Sequence, residues 1–238
     1  MTAPARRAAR LEHRLTLPTA SLADLDAAVA LVIEHDLAVL VVSPWLLDAA
    51  RRRLGRSSTR LATVIGGGHG GQIGAVKAYE ASRALEQGAR TVECVINAGA
   101  LLSGDDETVL RDLGSVIEMA HAALAEAGVQ LEVQALPTEM ITRAARLSDQ
   151  AGADFLVTSD GAADPERTIA TCVALRASAH PRLVISAAGR FTHLDQVLRA
   201  IDAGATRIST AFDDGLATAI SAAITAAAGT TPAPAAVA

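Results

Sequence analysis

The sequence predicts a closed (β/α)8 TIM barrel, and three observations carry that expectation. Short β-branched runs alternate with amphipathic Ala/Leu stretches from end to end. Most of those runs are nearly continuous in apolar residues, as parallel strands covered on both faces require. One junction also recurs: Gly88-Ala89, Gly152-Ala153 and Gly204-Ala205 each stand between a helical stretch and the next strand. Glycine there supplies a left-handed helix cap, and a short loop then feeds the strand.

The expected strands are Arg14–Leu17, Ala38–Val42, Leu61–Ile65, Thr91–Ile96, Gln130–Ala135, Asp154–Thr158, Leu183–Ser186 and Arg207–Thr210. Between them lie helical stretches such as Leu22–His35, Gly74–Glu86, Glu107–Glu126 and Glu139–Gln150, with Ser21 and Thr138 as candidate N-caps. Eight strands interleaved with helices favour a closed barrel over an open doubly wound sheet. No P-loop fingerprint supports the open sheet. The length of 238 residues suits one large core, so residues 1–228 are expected to form a single domain. The Thr-, Pro- and Ala-rich stretch 229–238 reads as a disordered tail.

Composition removes several function classes. A net charge of −5, dispersed basic residues, one Trp and one Tyr give no basis for nucleic-acid binding. The Arg51–Arg53 triplet reads as a solvated helix face. Cys94 and Cys172 lie in apolar runs without CxxC spacing and read as small buried residues of a reducing compartment. No apolar run reaches the ~18–20 residues that span a bilayer. The basic segment Met1–Arg10 leads into Glu12 and His13 rather than an apolar signal core, so a cytoplasmic location is expected.

In a barrel of this kind, chemistry sits in the loops at the carboxyl ends of the strands. Those loops contain Ser43, the run Gly66-Gly67-Gly68-His69-Gly70-Gly71, Asn97, Gln134, Ser159-Asp160-Gly161, Gly189-Arg190 and Asp213-Asp214. Glu93 is the leading candidate acid or base, because a carboxylate inside an apolar strand is costly to bury unless it is paired or has a task. Alternation puts it on one face with Val95 and Asn97, and burial there would raise its pKa. The competing account is a structural ion pair with an arginine. His69 could serve as a second acid or base over the barrel mouth, or belong to a flexible cover. Arg190 suits a carboxylate or enolate oxygen, and equally suits a plain surface position. His69, Glu93 and His193 show no HxH or HExxH spacing, so no metal is expected, and no organic cofactor is implied.

Several segments together resemble the deoxyribose-phosphate aldolase family. They are Leu61 to Gly66 with Lys77-Ala78-Tyr79-Glu80-Ala81, Val92-Glu93-Cys94-Val95-Ile96-Asn97, Ala151 to Gly161, Ser186-Ala187-Ala188-Gly189, and Ala203 to Ile208. The resemblance spans roughly residues 14–220 in unbroken order. It implies a carbonyl substrate and imine formation by a lysine on the sixth strand, where this chain has Val157. The family's seventh-strand lysine corresponds to Ile185, its fourth-strand aspartate to Glu93, and a usual basic residue to Ala162. Asn97, Ser159 and Asp160 stand where the family orients a carbonyl, and Gly189 and Thr210 where it cradles phosphate. Lys77 is the chain's one lysine, and an outer-helix ion pair with Glu80 is expected for it.

These departures predict an enzyme of aldolase ancestry working by non-covalent acid–base catalysis on a non-phosphorylated carbonyl compound in specialised biosynthesis. Cyclisation, aldol-type bond chemistry and dehydration all use such a residue set. The alternative is a pseudoenzyme that binds a metabolite or a partner, its interior repacked around Val157 and Ile185. Pairing with a second copy through Ala49–Arg56 is a further expectation.

Overall fold

A computed structural model describes residues 10–134 and 136–229. In chain order the elements are β1 (Arg10–Leu15), α1 (Leu22–Glu34), β2 (Val39–Val42), a 3-10 turn (Pro44–Leu46), α2 (Leu47–Leu54), β3 (Arg60–Ile65) and α3 (Gly74–Glu86). Then follow β4 (Thr91–Val95), α4 (Ala98–Leu102), α5 (Asp106–Ala122), β5 (Glu126–Gln130), α6 (Thr138–Gln150) and β6 (Phe155–Val157). The chain closes with α7 (Pro165–Ser178), β7 (Val184–Ala188), α8 (Leu194–Asp202), β8 (Arg207–Thr210) and α9 (Asp214–Gly229). The strands form one closed parallel barrel in sequence order, sealed where β8 pairs with β1. The expected fold class is therefore observed.

Local chemistry explains most boundaries. Ser21 caps α1 through a capping box with Asp24, each side chain accepting from the other's backbone N–H. The junction glycines Gly88, Gly152 and Gly204 take φ of +104°, +91° and +105°, the left-handed turn expected of them. Thr138 is not a cap; it is the first residue of α6, and Pro137 precedes it in extended geometry. Residues 230–238 of the expected tail lie outside the described residues, whereas Gly229 ends α9. The triplet Arg51–Arg53 is held by carboxylates, Arg51 and Arg52 by Asp48 and Arg53 by Asp26. Cys94 and Cys172 are buried free thiols, and burial pushes each up to about 12.

Two strands start four residues before their expected positions. β1 begins at Arg10 rather than Arg14, and β5 begins at Glu126 rather than Gln130. In β5 the cause is Gly128, which looks like a helix terminator in the sequence. In fact α5 turns at Leu124, with φ of +56°, and Gly128 lies inside the strand. A Cβ there would stand 2.2 Å from the Phe155 ring, so only glycine lets the fully buried ring cross the barrel interior.

The barrel has two distinct buried faces. Toward the helices, Leu40, Leu61, Val92, Val129, Leu156, Ile185 and Ile208 join one continuous apolar core. Inside, two smaller apolar patches, Val39-Val41-Ala62-Val64-Val95 and Phe155-Val157-Ala188, flank a set of charged side chains. Ile185 thus faces the helices, while Val184, Ser186 and Ala188 are the interior positions of β7.

The close approach of Phe155 makes Gly128→Ala a direct test of this packing. The variant is expected to lose about 1–3 kcal/mol through overpacking, read from urea unfolding midpoints at unchanged slope.

Candidate functional site

The charged residues of β1 follow from its alternation. Arg10, Glu12 and Arg14 share one face, and that face is the barrel interior. Arg14 reaches across to β4, where its Nη2 donates to Glu93 Oε2 at 2.5 Å, and its Nε donates to Ser209 Oγ at 3.2 Å. Both members of the pair are buried, Glu93 at 1% and Arg14 at 4% exposure. Gly161, with φ of +95°, lets the arginine pass, since a Cβ there would lie 2.5 Å from Arg14 Cδ.

Below this pair, Glu12 accepts from Ser186 Oγ at 3.2 Å and stands 3.6 Å from Arg207 Nη1. Burial pushes the Glu12 carboxyl up to about 7; Arg207 and Arg14 oppose the rise and Glu93 adds to it. Arg207 lies 4.0 Å over the Phe155 ring and donates to Glu126 at 2.9 Å. Glu126 also meets Arg10 and Arg60 at the lower rim. Burial opposes its ionisation, yet Arg207 and Arg60 together hold its carboxyl below the usual range. Opposite charges therefore alternate from the mouth of the barrel to its base.

Above the pair opens a cavity of about 530 Å³ at the carboxyl ends of the strands. Its polar wall includes Arg14, Gln72, Gln130, Glu132, Asp160 and Arg190. Glu132 has φ of +51° and receives a short hydrogen bond from Gln130 Nε2. Burial raises its carboxyl above the usual range, the Gln130 bond opposing this and the neighbouring Asp160 charge adding to it. Four buried atoms of lining residues have no partner among the described residues: His13 Nδ1, Arg14 Nη1, Gln72 Oε1 and Gln130 Oε1. His13, at the edge of the cavity, is pushed down to about 4 by burial.

The expected site residues divide between wall and scaffold. Asp160 and Arg190 line the cavity, Asp160 also accepting from Ala162 N at 2.8 Å and Arg190 making no ion pair among the described residues. Glu93 lies beneath, paired with an arginine. Asn97 caps α4 by accepting from Ala100 N at 3.0 Å. Ser159 is buried and donates to the Ala188 carbonyl at 2.8 Å. Gly189 packs where a Cβ would meet Thr168 Oγ1 at 2.8 Å. Thr210 is buried next to Ser209, outside the cavity lining. His69 is exposed in its loop, its Nδ1 accepting from Gly71 N at 3.0 Å, and only Gly67 and Gly68 of that run reach the cavity. Among the described residues, the converging set of potential metal ligands is Glu34, His35 and Asp214, away from this mouth.

Lys77 departs from expectation. It is fully buried, and its Nζ bonds Asp112 Oδ2 and the Val95 carbonyl, each at 3.1 Å. Glu80 instead accepts from Gly66 N at 2.8 Å. The amine therefore braces β4 against α5 rather than facing the cavity.

The sequence profile of the DeoC/LacD family aldolase matches residues 7–221. The chain belongs to that family. A deoxyribose-phosphate aldolase of Thermococcus gammatolerans is 33% identical over 202 residues, covering 84% of this chain and 90% of the relative. One of Streptococcus sanguinis is 33% identical over 200 residues, with the same coverage. The tetrameric deoxyribose phosphate aldolase structure from Aeropyrum pernix superposes with a TM-score of 0.79 at 25% identity, covering 93% of this chain and 92% of that one. Against this DeoC/LacD background, the sixth-strand interior position carries Val157, sealed between Phe155 and Ala188. Among the described residues, no helix is long and apolar enough to cross a membrane.

Sequence reasoning missed Arg14, Gln130 and Glu132 because β1 and β5 were placed four residues late. The signal was present: Arg10, Glu12 and Arg14 alternate as one charged strand face. Glu12 also sets a pH dependence. Its folded pKa of about 7 exceeds the ordinary 4.5, so it contributes stability below 4.5 that is lost as pH rises through about 7. Relative to the parent protein, Glu12→Gln is expected to gain unfolding free energy steadily across that window. Denaturant midpoints across a pH series check this, and a constant difference would contradict it.

Proposed function

We propose that this chain catalyses aldol-type chemistry on a non-phosphorylated carbonyl compound by acid–base catalysis without an imine. The observation that carries the reading is the pairing of an amine-free cavity with an unpartnered, buried Arg14 Nη1. Val157 stands where the family resemblance puts an imine-forming lysine, and Lys77 is locked behind β4 by Asp112. Arg14, fixed by Glu93 and Ser209, presents a preorganised donor for an oxygen that gains negative charge.

Glu132 is the group suited to move the proton, because its raised pKa brings it nearer to neutrality. Its carboxylate takes a proton from the carbon next to the carbonyl, and the enolate charge rests on the oxygen beside Arg14. The enolate carbon bonds to the acceptor carbonyl, and the new alkoxide receives the proton from Glu132. Glu93 acts through Arg14 as a positioning residue. Cyclisation and dehydration of a similar substrate use the same groups.

The absence of a phosphate handle is supported by the loops after β6 and β7. Their backbone amides are already engaged: Gly161 N with Ser159 Oγ, Ala162 N with Asp160, Gly189 N with the Ser209 carbonyl, and Arg190 N with the Ala163 carbonyl. Few donors remain to cradle an anion, and Asp160 would repel one.

Borohydride reduction in the presence of an aldehyde substrate, read by intact mass, is expected to leave the protein unmodified while turnover proceeds. A stable adduct on Lys77 would overturn the reading. Glu132→Gln is expected to lower kcat by about 100-fold or more with the fold retained. Since Asp160 raises the Glu132 pKa, Asp160→Asn should move the alkaline-rising limb of the rate profile to lower pH.

A further inference from the structure

The cavity wall has an unequal balance of hydrogen-bonding groups. Gln130, only 2% exposed, leaves Oε1 without a partner among the described residues, and so does Gln72. Glu80, Glu132 and Asp160 add three carboxylates to the same wall. Glu80 is partly engaged by Gly66 N, and Glu132 by Gln130 Nε2. Asp160 makes no ion pair among the described residues; one of its oxygens accepts the Ala162 amide.

Donors are few. Arg14 has one unpartnered nitrogen, its charge already matched by Glu93, His13 has an unpartnered Nδ1, and Arg190 stands on the β7 rim. Glu132 and Asp160 both line this cavity, so the carboxylates of the β5 and β6 loops share one wall. A buried acceptor without a donor costs about 1–3 kcal/mol, and carboxylates lining one cavity add repulsion. A ligand that supplies hydrogen-bond donors and a positive charge removes both costs, whereas a polyol removes only the first and an anion removes neither.

We propose that the substrate is an amino-carbonyl compound, its ammonium group bound by Asp160 and Gln130 Oε1 while its carbonyl oxygen meets Arg14 Nη1. This rests on the acid–base reading above and deepens it by naming the substrate class. The two roles fall on different carboxylates: Asp160 carries the charge that selects the ligand, and Glu132 carries the proton that reacts. A cyclic amino ketone fits the volume, and its amine cannot close on its own carbonyl.

The test uses three matched probes with the full-length protein: 4-aminocyclohexanone, 4-hydroxycyclohexanone and 4-oxocyclohexanecarboxylate. Dissociation constants are read by titration calorimetry near neutral pH at low salt. The amine is expected to bind at least about fivefold tighter than the alcohol, with the carboxylate weakest, and added salt should narrow the gap. In Asp160→Asn the amine is expected to fall to the affinity of the alcohol, whose own binding stays unchanged. Glu132→Gln should keep the preference for the amine.

Equal binding of amine and alcohol, tighter binding of the carboxylate, or no binding of any probe at millimolar concentration would overturn the proposal. So would an amine preference that survives in Asp160→Asn. The two claims fail separately. Loss of turnover in Glu132→Gln without an amine preference sinks the substrate class alone, and an amine preference in a fully active Glu132→Gln sinks the acid–base reading.

Discussion

The buried pair between Arg14 and Glu93 is the interaction on which the rest of the interior depends. It joins β1 to β4 across a closed barrel, linking strands that share no backbone ladder. Either charge alone would be prohibitively costly inside the protein, so each requires the other. The pair orients Arg14 so that one nitrogen meets Glu93, another meets Ser209, and the last is left without a partner among the described residues. It also places a negative charge above Glu12, which contributes to the raised pKa of that residue. Site and scaffold are therefore one network, and Gly161 is the local concession that lets the arginine side chain pass.

The same arrangement shows how the barrel interior packs with no lysine on its sixth strand. The interior position on β6 is apolar, and Phe155, Val157 and Ala188 pack there on glycine at β5. The one lysine of the chain has a mechanical task, tying α3 and α5 to the end of β4 through Asp112 and the Val95 carbonyl. The DeoC/LacD scaffold is preserved because the helix-facing core, which carries most of the apolar burial, does not involve these positions.

How much was legible in the sequence follows from the same division. Parallel strands with apolar outer faces, the Gly-Ala junctions and the Ser21 cap are local signals, and each appears where the chain order placed it. The register of β1 and β5 was less visible, because a polar alternating strand and a strand containing glycine both imitate other elements. That shift concealed Arg14, Gln130 and Glu132. Asn97, Ser159 and Gly189, candidates by the family resemblance, use their polar atoms or close packing to hold the loops themselves. Pairing across the barrel, as between Arg14 and Glu93, is a long-range fact that no window of sequence contains.

The central claim is that a carbonyl oxygen is received by Arg14 and that no amine of the chain reacts with it. A crystal structure of the protein soaked with a small ketone tests this most directly. The account predicts a non-covalent ligand whose oxygen lies about 2.9 Å from Arg14 Nη1, with Glu132 beside the adjacent carbon. Continuous density from the ligand carbon to Lys77 Nζ, or a ketone oxygen turned away from Arg14, would contradict it.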